Sequence, residues 1–187
     1  MPYIYGERIR FRSAEREDIP TFLQWINDVD VAENLVFAAP WSRVEEERWF
    51  DAMMAKPSVE HALVIEIKDQ DTDQTYRPIG TCQFIDINWR NRSAEVGIMI
   101  GEKSVWNQGY GTEAMCLLLA HGFETLNFHR IWLQVLAKNK RGIRAYEKAG
   151  FINEGKFRQS EYQHGSYHDV FIMSVLKDEW QADRSKK

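Results

Sequence analysis

The order of the predicted strands and helices changes halfway along the chain, and this change constrains the fold more than any other feature. In the first half, hydrophobic stretches of strand length are separated by short polar turns, which favours antiparallel pairing. The second half alternates strand, helix, strand and helix, which favours a parallel pair joined by a crossover helix. We therefore predict an α/β fold with a central, mostly antiparallel mixed sheet, one parallel pair, and helices on both faces.

The bounds of the predicted elements come from hydrophobic periodicity and from local capping signals. Ser42 and Glu45 fit a capping box that begins a helix running to Ala55. Gly150 ends a helix predicted over 141–149. The polar stretch 69–78 is predicted to connect two strands. The predicted strands are 9–12, 62–68, 79–88, 94–100, 130–136 and 167–176, and the other predicted helices are 18–27 and 109–126.

The composition is that of an ordinary folded domain. A chain of 187 residues with 44% hydrophobic content can bury one good core, so we predict one domain over 1–180 and a polar tail at 181–187 that frays. The net charge of −4, without a basic stripe, argues against nucleic-acid binding. No apolar stretch reaches membrane-spanning length and no signal peptide is evident, so we expect a cytoplasmic protein. Neither the two cysteines nor the histidines have the spacing of a metal site.

A glycine turn between a predicted strand and a predicted helix is the most informative segment. Gly109 and Gly111 allow the backbone to bend tightly and to present successive N–H groups at a helix N-terminus, which favours a phosphate or pyrophosphate. The spacing up to Ala114 also matches the dinucleotide fingerprint, but the next predicted strand ends at 136–139 without the acidic residue that binds a ribose. A plain glycine turn before a core helix is the other interpretation.

A second segment, 139–151, follows after one crossover and reads Asn139, then Ala145-Tyr146, then Gly150-Phe151. Together with the glycine turn, it resembles the conserved motif pair of the GNAT superfamily of N-acetyltransferases. The stretches 154–158 and 165–169 are similar to the branch that contains ribosomal-protein N-terminal acetyltransferases and spermidine acetyltransferases. Two residues depart from the family pattern: Trp106 stands where Gln or Arg is usual, and Gly142 stands where a small Ala or Ser is usual.

This resemblance implies acetyl-CoA as the donor and a direct transfer to a primary amine, without a covalent enzyme intermediate. It implies that one strand splays from its neighbour and offers backbone N–H groups to the thioester and the pantetheine arm, and that the glycine turn holds the pyrophosphate. Asn139 becomes a candidate hydrogen-bond partner of the pantetheine arm. The implied coenzyme A contacts are Ile98, Met99 and Ile100 on the strand, and Gln108, Gly109, Tyr110, Gly111 and Thr112 at the turn.

The resemblance also implies two catalytic candidates. Tyr146 is the candidate acid that protonates the departing thiolate; its alternative role is to pack its helix on the sheet. Glu95 is the candidate base, or the residue that orients a water; alternatively it is solvated or paired with Arg90 or Arg92. The acidic run Glu45–Glu47 is interpreted first as the solvated start of a helix, and second as an attraction for a cationic acceptor.

Three functions remain open at the level of the sequence. The first is an acetyltransferase acting on a protein N-terminus, a polyamine or an amino sugar, with the acceptor site implied at the first two helices and the final hairpin. The second is a catalytically silent sensor of acyl-CoA. The third is a dinucleotide oxidoreductase, which the missing acidic residue argues against. The identity of the acceptor, the preference for acetyl over longer acyl groups, and a homodimer are left undecided.

Overall fold

The computed structural model describes residues 3–35, 40–68 and 75–184. Its eight strands within these ranges are β1 (Ile4–Tyr5), β2 (Ile9–Ser13), β3 (Leu63–Lys68), β4 (Tyr76–Asn88), β5 (Ser93–Ile100), β6 (Arg130–Leu136), β7 (Ile152–Gln163) and β8 (Ser166–Leu176). The helices are α1 (Ile19–Ile26), α2 (Val29–Ala32), α3 (Arg43–Met54), α4 (Tyr110–Ala120), α5 (Lys140–Ala149) and α6 (Lys177–Arg184). In this described part of the chain, no helix is long and apolar enough to cross a membrane.

The predicted mixed sheet is confirmed. The strand order is β1-β2-β3-β4-β5-β6-β8-β7. β5 and β6 are parallel, and β1–β2, β2–β3, β3–β4, β6–β8 and β7–β8 are antiparallel. A helical crossover between β5 and β6 explains the parallel pair, because parallel neighbours need a long connection.

The chain forms two compact units, and each is described by itself. The first unit comprises Met1–Phe84 and Ile98–Tyr110, and the second comprises Ile85–Gly97 and Gly111–Lys187. Both β4 and β5 contribute residues to each unit. The predicted domain bounds of 1–180 remain a prediction.

In the first unit, α1 and α3 bury their apolar faces together. The cluster comprises Ala14, Ile19, Phe22, Trp25, Phe50, Met53, Ala62 and Val64. Arg12 of β2 fixes the start of α1, because its guanidinium donates to Asp18 at 2.6 and 2.7 Å and to Glu66 of β3 at 2.8 Å. These charges are paired and hydrogen-bonded, as partly buried charges must be.

In the second unit, the apolar side of α4 and the strands β6 and β8 form the core. Leu118, Leu119 and Phe123 are fully buried on the helical side, and Ile131 and Leu133 are fully buried on β6. β7 lies outside β8 at the end of the strand order and is exposed over most of its length. Its register against β8 shifts twice, between Asn153 and Gly155 and between Phe157 and Glu161.

Several predicted bounds were wrong. β4 begins at Tyr76, inside the predicted 69–78 connection, of which 69–74 lie outside the described residues. The helix predicted over 109–126 is α-helical only to Ala120, and one π-helical turn follows over His121–Thr125. β1, β7, α2 and α6 were not predicted as elements. Residues 181–184 of the predicted tail belong to α6, and 185–187 lie outside the described residues.

Candidate active site

The pairing of β5 with β6 stops before either strand ends. Its register runs from Ser93–Arg130 to Glu95–Trp132, although β5 continues to Ile100 and β6 to Leu136. Both strands are fully described, so the backbone groups of β5 beyond Glu95 have no ladder partner on β6. Such groups need another partner, and the thioester and pantetheine arm of an acyl-CoA carry suitable polar groups.

On its other edge, the end of β5 lies tightly against β4 within the first unit. The amides of Gly101 and Glu102 both donate to the carbonyl of Ile79, at 3.0 and 3.1 Å. A Cβ atom on Gly80 would lie 2.1 Å from the carbonyl oxygen of Met99. Only glycine therefore permits this approach of the two backbones.

The glycine turn adopts the conformation that its sequence predicts. Asn107 and Gly109 have φ angles of 62° and 86°, in the left-handed region that glycine adopts most readily. α4 begins at the next residue, Tyr110, so its first amides lack intrahelical acceptors and face the turn. Backbone N–H groups at a helix N-terminus fit a pyrophosphate.

The turn is held in place by side chains of the first unit. Trp106, the departure from the family pattern, donates through Nε1 to the carbonyl of Ile100 at 2.8 Å and so connects the turn to the end of β5. The Gln108 amide donates to the carbonyl of Ser104 at 2.8 Å. Lys103, just before the turn, forms ion pairs with Asp28, the N-cap of α2, at 2.7 Å and with Asp30 in α2 at 2.8 Å.

Arg8 brings a positive charge to the glycine turn, and the sequence analysis did not include it among the site residues. Its Nη1 donates to the carbonyl of Gln108 at 3.1 Å, and its guanidinium carbon lies 4.4 Å from the centre of the Tyr110 ring. A Cβ on Gly109 would lie 3.3 Å from Nη2. Arginine is a preferred residue for phosphate recognition.

The remaining predicted contacts of coenzyme A lie in the second unit. Gly111 and Thr112 are in the first turn of α4. The side chain of Asn139 caps α5, because its Oδ1 accepts from the amide of Gly142 at 2.8 Å. A Cβ on Gly142 would lie 2.7 Å from Nδ2 of Asn139, so glycine at this departure from the family pattern leaves room for the cap.

Tyr146 lies on α5 and is half-buried. Its ring meets Phe151 edge to face, with the centroids 6.0 Å apart. Burial of the phenol raises the pKa of Tyr146 to about 12, and the positive charge of Arg141 opposes this shift. The hydroxyl is therefore protonated at neutral pH, which an acid requires.

Glu95 lies on β5 and is only 8% exposed. Gln134 of β6 donates to its Oε1 at 3.2 Å. Burial raises the pKa of Glu95, the hydrogen bond from Gln134 opposes this shift, and the charge of Asp86 adds to it. The alternative that Glu95 is solvated was wrong, and in the described part of the chain neither Arg90 nor Arg92 pairs with it.

The acidic run at the start of α3 divides into three different environments. Glu45 completes the predicted capping box with Ser42, and Glu47 accepts from Arg43 at 2.8 Å. Glu46 is 2% exposed, and burial raises its pKa to about 7. The expectation of a solvated helix start holds for the two flanking glutamates and was wrong for Glu46.

Comparison with known proteins agrees with this geometry. Residues 8–152 match the family described as the acetyltransferase (GNAT) domain. The chain belongs to the GNAT family of acetyltransferases. It is accordingly an N-acetyltransferase whose donor is acetyl-CoA. The glycine turn and the end of β5, which does not pair with β6, fit this donor.

The similarity to relatives extends over nearly the whole chain. The "uncharacterized N-acetyltransferase p20" of Bacillus licheniformis is 32% identical and covers 96% of this chain and 99% of its own. A spermidine N(1)-acetyltransferase of Vibrio cholerae is 27% identical, with 94% and 96% covered. A crystal structure of spermidine N-acetyltransferase from Vibrio cholerae, in complex with CoA and spermine, superposes with a TM-score of 0.83 at 26% identity, covering 93% of this chain and 98% of that chain.

Proposed function

We propose that this acetyltransferase transfers the acetyl group of acetyl-CoA directly to the primary amine of a small acceptor. The observation that supports the site most is the end of the β5–β6 pairing at Glu95–Trp132, beyond which the backbone of β5 has no ladder partner on β6. The relatives that carry the name spermidine acetyltransferase support a small amine as the acceptor rather than a large one.

Backbone groups bind the donor in this proposal. Amides of Ile98, Met99 and Ile100 donate to the thioester and the pantetheine arm, where they stabilise the negative charge that develops on the thioester oxygen. Amides of the segment from Gln108 to Thr112 bind the pyrophosphate at the N-terminus of α4. Asn139, the cap of α5, contributes to binding the pantetheine arm.

Two side chains transfer protons in this reaction, one from the amine and one to the thiolate. Glu95 accepts the proton of the attacking amine, directly or through a water, and the raised pKa makes its carboxylate a stronger base. Tyr146 donates its phenolic proton to the departing thiolate. The Tyr146 hydroxyl is protonated at neutral pH, as this role requires, and burial raises its pKa to about 12.

The test combines binding of acetyl-CoA by calorimetry with thiol release in the presence of polyamines, amino sugars and peptides with free N-termini. We expect binding of acetyl-CoA and thiol release that depends on one class of amine. Binding without release for any amine would favour the acyl-CoA sensor. Absence of acetyl-CoA binding would refute the assignment of the glycine turn.

Arg8 provides a sharper test of the pyrophosphate site. Replacing Arg8 with alanine should raise the Kd of acetyl-CoA about tenfold, since a charge-assisted hydrogen bond to a phosphate contributes about 1.5–3 kcal/mol. The loss should shrink at high salt, because salt screens an exposed charge. Calorimetry at low and high salt measures both effects.

Two matched variants serve as controls for Arg8. Arg8→Lys keeps the positive charge and should lie between wild type and Arg8→Ala. Arg43→Ala removes an exposed arginine that pairs with Glu47 on α3, and should leave the affinity unchanged. A Kd for Arg8→Ala equal to that for Arg43→Ala would mean that Arg8 only supports the carbonyl of Gln108.

A further inference from the structure

Glu46 carries a buried carboxylate oxygen for which the described residues supply no partner. Its Oε2 is inaccessible to solvent and has no hydrogen bond within the described residues. The neighbouring glutamates differ, because Glu45 accepts from the Ser42 amide at 2.7 Å and Glu47 pairs with Arg43. Buried polar groups are nearly always hydrogen-bonded, so an unpartnered carboxylate oxygen calls for a ligand or another explanation.

The chemistry of the missing partner follows from the charge of the group. A buried carboxylate loses its hydration, and a cation that also donates hydrogen bonds restores most of that loss. Burial raises the pKa of Glu46, and among the described residues no charged side chain forms an ion pair with it. An ammonium group has both the charge and the donors that this oxygen lacks.

The surroundings of Glu46 suit an organic cation better than a hydrated metal ion. Trp49, Phe50 and Met53 follow at spacings of three, four and seven residues, so they share the face of α3 on which Glu46 lies. Phe50 and Met53 belong to the buried cluster of α1 and α3, and Trp49 packs against it. Aromatic rings attract ammonium groups and contact the alkyl chain of an amine.

The same cluster reaches the end of β5 within the first unit. Met99 of β5 packs against it. The ring of Trp25, a member of the cluster, lies so close to Gly101 that a Cβ there would be 2.1 Å from the ring carbon Cγ. A cation held on this face of α3 would thus bind to the cluster that also contacts the proposed thioester-binding strand.

We infer that the Glu46 carboxylate is the anionic group that binds an ammonium of the acceptor amine, on the apolar face of α3. This assignment rests on the proposed function, because it names the acceptor subsite of that reaction. It makes Glu46 a specificity-determining residue that selects cationic amines, and it leaves proton removal to Glu95.

The experiment compares Glu46→Gln with Glu47→Gln in the full chain. Glutamine keeps the size of Glu46 and removes the charge, while Glu47 is the neighbouring glutamate that already has a partner. Calorimetry in the presence of coenzyme A uses spermidine, glucosamine and a tripeptide with a free N-terminus as probes. We expect Glu46→Gln to weaken the amine that binds wild type by at least about tenfold, and Glu47→Gln to change it less than about twofold.

Further readouts separate amine binding from a structural role. The Kd of acetyl-CoA should be the same in both variants and wild type, and Glu46→Asp should recover part of the amine affinity because it restores the charge. In steady-state assays, Glu46→Gln should raise the KM of the amine more than it lowers kcat. Thermal unfolding establishes that the variants are folded.

The outcomes distinguish this inference from the proposed function. Equal amine affinity in wild type and Glu46→Gln overturns the assignment, as does a wild-type chain that binds none of the three amines. Loss of amine affinity in Glu46→Gln without any thiol release by wild type supports the Glu46 subsite and overturns the proposed transfer reaction.

Discussion

Replacement of Tyr146 by phenylalanine is expected to lower turnover about 100-fold, because a positioned acid contributes roughly 10²–10⁴ to the rate. The variant keeps the aromatic ring that packs edge to face on Phe151, so the fold and the Kd of acetyl-CoA should change little. Steady-state thiol release gives kcat, and calorimetry on the same preparation gives the Kd.

The control for this prediction is Tyr5→Phe, which removes a hydroxyl from an exposed tyrosine on β1. It should match wild type in both measurements. With its pKa at about 12, Tyr146 stays protonated across the neutral range, so titration of Tyr146 should not limit activity there. Unchanged turnover in Tyr146→Phe would assign the residue to packing alone.

Replacement of Gly80 by alanine is expected to destabilise the protein by about 3 kcal/mol, at the upper end of the typical cost of overpacking. The added methyl would lie 2.1 Å from the carbonyl oxygen of Met99 and 3.0 Å from Cα of Ile100. Both are backbone atoms, so no side-chain rotation relieves the contact. At roughly 2–4 °C per kcal/mol for a chain of this size, the melting temperature should fall by about 10 °C.

Gly97→Ala is the matched control, since Gly97 also lies on β5 and a Cβ there would meet nothing within 4 Å. Its stability should stay within about 0.5 kcal/mol of wild type, as for an unobstructed substitution. Chemical denaturation of both variants measures the difference. Equal stability of the two would show that β4 and β5 can separate at Met99 without loss.

Local signals explain the elements that the sequence predicted well. The capping box of Ser42 and Glu45 is contained in four residues, and both of its hydrogen bonds are present. The strand predicted over 130–136 has the observed bounds, because five of its seven residues are hydrophobic and polar turn residues flank it. The glycine turn is equally local, since Gly109 requires nothing distant to adopt a positive φ.

The strand segments that were missed are fixed by pairing with another strand rather than by a pattern of their own. β7 is exposed and polar over most of its length, so no hydrophobic alternation marks it, and its strand conformation comes from pairing with β8. Tyr76 and Pro78 look like part of a turn-rich connection, but they pair with Lys68 and Glu66 of β3.

The candidate site also combines features that local sequence predicts with features that depend on distant residues. The backbone positions on β5 and at the glycine turn follow from motifs, whereas Arg8 meets Gln108 across 100 residues of sequence and no spacing could indicate it. The burial of Glu46 could have been predicted from the spacing of residues in the sequence. Its spacing to Phe50 and Met53 places it on the apolar face of α3, and the flanking glutamates obscured this pattern.

The irregular register of β7 bears on how the protein behaves at high concentration. A long, straight strand at the edge of a sheet presents unpaired backbone groups that can recruit a strand from another molecule, and this is a route to aggregation. β7 ends the strand order, but its register against β8 shifts twice, and such bulges bend a strand. Charged residues also recur along it at Glu154, Lys156, Arg158 and Glu161. Bends and charges both oppose the addition of a further strand, so this exposed hairpin can remain in solution without templating fibrous assembly.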